Sequence, residues 1–217
     1  MNPGSRRPLK TRERRWARAL AAWLAARGVA PNAVSIASVV FGALAGGCLS
    51  LSFGRSGETS GMILLVAAAG FIQLRLLCNL LDGLIAVEGG LGSPVGEIYN
   101  DLPDRIADIL ILVGAGLALR MLPYGMPLGW VAAVLALLTA YVRVLGGAVG
   151  LPQDFSGPMA KQHRMFAVTV GCLGAAVESL FGRPPRLLYL ALAVVALGSV
   201  VTAVRRTARI ASALRAR

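Results

Sequence analysis

Six long apolar stretches, near residues 33–53, 61–87, 97–119, 127–149, 165–181 and 187–204, fill most of the chain. Each is close to the ~20 residues that carry a helix across the hydrocarbon core of a bilayer. Backbone groups in lipid must find their partners within the segment, so stretches of this kind are helices and not strands. Turn material separates them: Gly54-Arg55-Ser56-Gly57, Gly89-Gly90-Leu91-Gly92-Ser93-Pro94, Pro123-Tyr124-Gly125, a longer segment 151–164, and Pro184-Pro185. The fold class expected is therefore all-α, a polytopic membrane protein with six transmembrane helices. Composition agrees: 56% hydrophobic and 15% charged residues exclude a disordered chain and ill suit a water-soluble domain. Cys48, Cys78 and Cys172 all lie in apolar runs, an odd number without metal-site spacing, which reads as packing and not as a disulfide framework.

The net charge of +12 has to be placed relative to these spans. Arg6, Arg7, Lys10, Arg12, Arg14, Arg15, Arg18 and Arg27 precede the first span, and Arg205, Arg206, Arg209, Arg215 and Arg217 follow the last. The positive-inside bias then puts both termini, and the loops 88–96 and 150–164, in the cytoplasm, with the bacterial inner membrane as the expected location. Three regions follow: a basic segment 1–32, a six-helix transmembrane domain 33–204, and a basic cytoplasmic tail 205–217. In the first region Trp16, Leu20, Trp23 and Leu24 share one face of a helix, with Arg14, Arg15 and Arg18 elsewhere on the wheel, as in an interfacial amphipathic helix lying on membrane lipids. No basic face is left over for nucleic acid. Gly42 and Gly46 in the first span form a GxxxG, a close-packing face.

Carboxylates are the anomaly. Asp82, Glu88, Glu97, Asp101, Asp104 and Asp108 fall within 27 residues and make up six of the ten acids in the chain. Ionisable groups at membrane depth are costly and need a partner or a purpose. Asn79, Asp82, Gly83 and Ala86 share one face of the second span, and Gly96, Asn100, Asp104 and Asp108 recur every four residues on the third. A short connection implies that the two helices pack antiparallel, bringing Asn79 and Asp82 level with Asn100 and Asp104. With only Arg75 and Arg105 nearby, the site looks short of cation, and a hard divalent ion, Mg²⁺ or Mn²⁺, is its natural complement. One turn deeper, the same register pairs Arg75 with Asp108 as a structural ion pair. Pro103 reads as a helix-start or kink proline. Arg143, Lys161, His163 and Arg164 would form a cationic pocket suited to a phosphorylated alcohol, or simply mark the cytoplasmic side.

These residues resemble the CDP-alcohol phosphatidyltransferases, whose signature reads D-x-x-D-G-x-x-A-R-x8-G-x-x-x-D-x-x-x-D. The chain offers Asn79-x-x-Asp82-Gly83-x-x-Ala86-Val87, eight residues, then Gly96-x-x-x-Asn100-x-x-x-Asp104, with the spacing kept throughout. The run Gly28-Val29-Ala30-Pro31-Asn32-Ala33-Val34-Ser35, which opens the first span, is also similar to that family. The resemblance implies a divalent-metal-dependent transfer of a phosphatidyl group from CDP-diacylglycerol to an alcohol or phosphorylated alcohol, with release of CMP, in a homodimer. It implies metal ligation by Asn79, Asp82, Asn100 and Asp104, catalysis by Asp104 as base with Asp82, and nucleotide contacts at Asn32, Gly83, Ala86 and Gly96. Three departures stand out: Asn79 and Asn100 replace aspartates and Val87 replaces an arginine. An amide still offers a carbonyl oxygen, but two negative charges are missing, which lowers the expected metal affinity and points to one tight ion. Two other classes remain open on these residues: a silent homologue acting as a membrane scaffold, and a metal or proton transporter. A transporter would spread its acids along several helices, whereas these crowd at one end of the chain's second and third spans.

Overall fold

The computed structural model describes residues 15–90 and 95–217; the bases Arg6, Arg7, Lys10, Arg12 and Arg14, the turn 91–94 and the side chains of Glu88 and Glu97 lie outside the described residues. Within them the chain is all-helical, with no strand: α1 (Arg15–Ala26), α2 (Pro31–Leu51), α3 (Thr59–Glu88), α4 (Gly96–Ala118), α5 (Gly125–Ala148), α6 (Lys161–Leu180) and α7 (Arg186–Arg215). Helices α2 to α7 are the six apolar stretches. By length and composition α2, α3, α5 and α7 qualify as membrane spans. At 23 and 20 residues, α4 and α6 are long enough, but the first half of α4 and the first turn of α6 carry the charged residues of the cluster. The last helix runs unbroken through Arg215, so the basic residues from 205 to 215 lie on α7.

Neighbouring helices close a ring in the order α2, α3, α6, α7, α5, α4 and back to α2. Its core is built from small and branched side chains, among them Ala45, Leu49, Ile72, Ile111, Leu112, Val168, Leu188 and Leu192. The antiparallel packing of α3 on α4 expected from their short connection is not what forms; the two barely touch, and α2 packs against both. The reason lies in the small face of α2. Gly42 has Ala107 of α4 directly against it, so that a Cβ there would stand 2.7 Å from the Ala107 Cβ, and Gly46 meets the Leu110 carbonyl equally closely. The GxxxG does act as a close-packing face, and it draws α4 onto α2 instead of α3.

Outside the ring, α1 lies on α3. Ala17 and Ala21 are fully buried against Leu80, Leu81, Leu84 and Ile85, with Leu20 and Leu24 packed at the edge of this second cluster. Trp16 and Trp23 face outward, about half exposed, and Arg27 stacks on the Trp23 ring at 3.9 Å. The expected apolar face is thus divided, leucines inward and tryptophans outward. Gly28 adopts φ 74°, a left-handed turn that L side chains avoid, and the Val29 N–H returns to the Leu24 carbonyl at 3.1 Å. That turn swings the chain into Pro31, at the first position of α2, where its missing N–H costs nothing.

Candidate active site

The end of the ring where α3 finishes and α4 and α6 begin collects the buried charges. Asp82, in the last turns of α3, is 4% exposed. Its Oδ2 accepts a 2.7 Å hydrogen bond from Ser35 of α2, while its buried Oδ1 has no partner among the described residues. Ser35 is itself fixed on α2, its carbonyl accepting from Ser38 at 2.6 Å. Asn79, one turn before Asp82, is half-buried, and its amide nitrogen is likewise buried without a partner among the described residues.

Across from these, Asp104 and Asp108 occupy one face of α4, both nearly fully buried. Arg75, with no exposure at all, donates to Asp108 Oδ1 at 2.6 Å, to Asp104 Oδ1 at 3.4 Å and to the Asp104 carbonyl at 3.1 Å. The structural pair of Arg75 and Asp108 is therefore present, as part of a larger network. Arg164 of α6 takes the other oxygen of Asp108 at 2.9 Å and also donates to Thr139 and to the Met159 carbonyl, each at 3.0 Å. Lys161, the first residue of α6, pairs with Asp104 Oδ2, and Arg105 stands 3.7 Å from the same oxygen. Asp104 and Lys161 both lie within electrostatic reach of Asp82.

The site is thus not short of cation, as the sequence of α3 and α4 alone suggests. Helix α6 packs beside α3 in the ring, and its first turn delivers Lys161 and Arg164 to the carboxylates. Of the expected cationic pocket, Arg164 is buried on Asp108 and its charge is committed there. Arg143 of α5 pairs with Asp101, donates to Gln153 at 3.1 Å and lies 5.1 Å from the Phe155 ring. His163 is exposed, its Nδ1 3.1 Å from the Pro158 carbonyl, and Asn100 is exposed as well. Asn32, Gly83, Ala86 and Gly96 are half-buried. With α4 beginning at Gly96, Pro103 lies two turns inside the helix and leaves the Tyr99 carbonyl without its usual N–H partner.

Thr139 carries no sequence signal, Arg206 reads from the sequence only as a base marking the membrane side, and Ser35 only as part of the run before and into the first span; the three belong to different helices, and the ring closure brings them in. Arg206 is 5% exposed and donates to the Ser156 carbonyl at 3.0 Å and the Thr139 carbonyl at 2.7 Å. With Met159 N–H on Thr202 at 3.0 Å, it ties the 149–160 segment to α7 above the charged cluster.

Among the described residues no three His, Cys, Asp or Glu side chains are grouped to hold a metal ion. A divalent ion nonetheless suits the chemistry of Asp82: a buried carboxylate oxygen with no partner is costly, and a hard cation removes that cost. The residues available for it are Asp82, Asp104 and the amide carbonyls of Asn79 and Asn100.

No family model and no curated protein matches the chain. Solved structures do. Mycobacterium tuberculosis phosphatidylinositol phosphate synthase (PgsA1) with CDP-DAG bound is 25% identical with a TM-score of 0.73, over 91% of this chain and 94% of that one. The same synthase with manganese and citrate gives 23% identity and 0.74, over 89% and 88%; its apo form gives 24% and 0.69, over 87% and 93%. The resemblance carried by the Asn79-to-Asp104 spacing therefore extends over the whole fold, and the enzymes that share this fold are CDP-alcohol phosphatidyltransferases.

Proposed function

We propose that the chain is an integral membrane phosphatidyltransferase that moves a phosphatidyl group from CDP-diacylglycerol to an alcohol or phosphorylated alcohol and releases CMP. The observation that carries this reading is the pair Asp82 and Asp104. Both are buried, in electrostatic reach of each other and on the family's spacing, within a fold shared almost end to end with a synthase solved with CDP-DAG. A divalent ion at Asp82 and Asp104, when bound, supplies polarisation of the phosphoryl oxygens and stabilises charge on the departing phosphate; manganese in one neighbour supports this.

The residues of the chain do the rest. Ser35 holds Asp82 in one orientation. Asp104, released from Lys161, accepts the proton of the acceptor hydroxyl as the hydroxyl oxygen bonds to the lipid-bearing phosphorus. The bond from that phosphorus to the bridging oxygen breaks, and CMP departs. Arg143 and Lys161, at the mouth of the site, offer charge to a phosphate on the acceptor, with His163 beside them; Arg164 holds Asp108. The small residues Gly83, Ala86 and Gly96 leave room for the nucleotide, with Asn32 close to the start of α2. On this reading all six helices α2 to α7 cross the bilayer, α4 and α6 with their charged N-terminal ends at the cytoplasmic surface. The exposed tryptophans of α1 then rest among the headgroups, both termini face the cytoplasm, and the enzyme works as a homodimer.

The test is release of CMP from labelled CDP-diacylglycerol by the purified chain, with a panel of alcohols and phosphorylated alcohols. Activity is expected with Mn²⁺ or Mg²⁺, lost on chelation, and abolished in Asp82→Asn and Asp104→Asn. Absence of CMP release with every acceptor refutes the reading and leaves a silent scaffold in its place.

A further inference from the structure

Asp82 and Asp104, the two motif carboxylates of this chain, are served unequally. Among the described residues one oxygen of Asp82 has no partner, whereas Asp104 has Lys161, Arg75 and Arg105 around it. Counting the buried cluster, Asp82, Asp104 and Asp108 face four cations: Arg75, Arg105, Lys161 and Arg164. Arg105 also pairs with Asp101, so among the described residues the carboxylates are already matched by cations before any metal arrives, and Asn79 and Asn100 contribute no charge. Adding a divalent ion to it alone brings like charges together at low dielectric, which is costly. Two events relieve that cost: departure of a cation from Asp104, and arrival of an anion with the metal.

Only one of the four cations is free to leave. Arg75 and Arg164 are fully buried and held by several hydrogen bonds each. Arg105 is tied to Asp101 on its own helix, by its Nε to the carbonyl at 3.3 Å and its Nη2 to the carboxylate at 3.4 Å. Among the described residues Lys161 has a single partner, Asp104, and it sits at the start of α6 on a flexible stem that retains 20% exposure. Its backbone is anchored by the 149–160 segment on α7, so only the ammonium has to move.

We propose that Lys161 is a displaceable internal cation that occupies the metal's place at Asp104, so that a divalent ion enters this site tightly only together with the pyrophosphate of the nucleotide. This rests on the functional reading above. The metal takes Asp104, the released ammonium stays in the site as a counter-charge to the phosphates, and free metal alone binds poorly. The two amides at positions 79 and 100 and the lysine at 161 then form one design, in which charge removed from the ligands is matched by coupling between metal and substrate.

Manganese binding by the purified full-length chain in detergent, read from loss of the free Mn²⁺ paramagnetic resonance signal with and without CDP, tests this. Wild type is expected to bind Mn²⁺ at least about tenfold more tightly with CDP than without it. Lys161→Met is expected to bind Mn²⁺ alone about tenfold more tightly than wild type and to gain less from CDP, while Lys161→Arg stays near wild type. An unchanged or weaker affinity in Lys161→Met, with Mn²⁺ binding still lost in Asp82→Asn, overturns the proposal and leaves the functional site standing. Absence of Mn²⁺ binding in every form, with and without CDP, overturns both. Wild type also provides a measurement that needs no variant, because Lys10 and Lys161 are the two lysines of the chain. Saturating Mn²⁺ is expected to speed amine labelling of Lys161, with Lys10 as internal reference, and an unaltered rate overturns the proposal.

Discussion

Replacing Gly42 by alanine tests the wedge of α2 between α3 and α4. The added Cβ would stand 2.7 Å from the Ala107 Cβ and 2.9 Å from its Cα. Carbon atoms prefer separations of ~3.5–4.0 Å, so the helices must part by about 1 Å. The obstacle is a methyl and a backbone atom, neither of which can rotate away. Overpacking of this kind costs about 1–3 kcal/mol. Removing a helical glycine returns about 0.5–1 kcal/mol, so the net expectation is a loss of about 1–2 kcal/mol. For a chain of this size that is a fall of about 2–8 °C in Tm. Gly47, on the same helix, is exposed with nothing within 4 Å of a Cβ, so Gly47→Ala retains the gain alone and is expected to raise the Tm by about 1–4 °C. Ala107 lies between Asp104 and Asp108, so parting the helices also shifts both carboxylates relative to Asp82, and Gly42→Ala should lower CMP release where Gly47→Ala does not. Thermal unfolding followed by circular dichroism in one detergent, with CMP release on the same samples, reads both effects. A Gly42→Ala protein as stable and active as Gly47→Ala would refute the close approach of α2 and α4.

Asp108→Asn leaves Arg75 and Arg164 facing an amide, and losing one member of a buried ionic network is expected to destabilise by about 3–5 kcal/mol, seen in denaturant or thermal unfolding. Ser35→Ala removes the 2.7 Å hydrogen bond to Asp82 and is expected to cost about 1.5–3 kcal/mol, with a drop in CMP release at unchanged CDP-diacylglycerol saturation. Asp154 lies in the segment above the site; partial burial raises its carboxyl, but the Ser156 hydroxyl and amide and Arg209 together hold it below the ordinary 3.8. A depressed folded value means that its anchoring is complete above the ordinary carboxylate range and is lost as pH falls through the lower folded value. Hydrogen exchange in 149–160 should therefore rise below pH ~4 in wild type and be insensitive to that range in Asp154→Asn.

The helices were legible because lipid-length apolar runs bounded by Gly and Pro leave little choice, and the Arg75–Asp108 pair because a four-residue register fixes depth. Hydropathy alone begins the fifth span at 165, after Lys161 and Arg164, and so hides the turn of α6 that neutralises the carboxylates. It also ends the last span at 204, although Arg and Ala are strong helix formers and α7 continues. Placing α3 directly on α4 followed from chain proximity, and a close-packing glycine face on α2 outweighed it. The roles of Ser35, Thr139 and Arg206 could not be read for a simpler reason: Ser35 donates to a residue 47 positions away, and Arg206 donates to Thr139 across 67.

At 30 residues α7 is about 45 Å long, against a hydrocarbon thickness of about 30 Å. On the functional reading above, its last turns extend past the lipid as a stalk, and Thr202, Arg206 and Arg209 along its second half hang the roof of the site from the helix. On that reading, insertion into the bilayer and shelter of the chemistry fall to overlapping lengths of one rod. Shortening the rod from its free end would leave an anchored protein with an uncovered cleft.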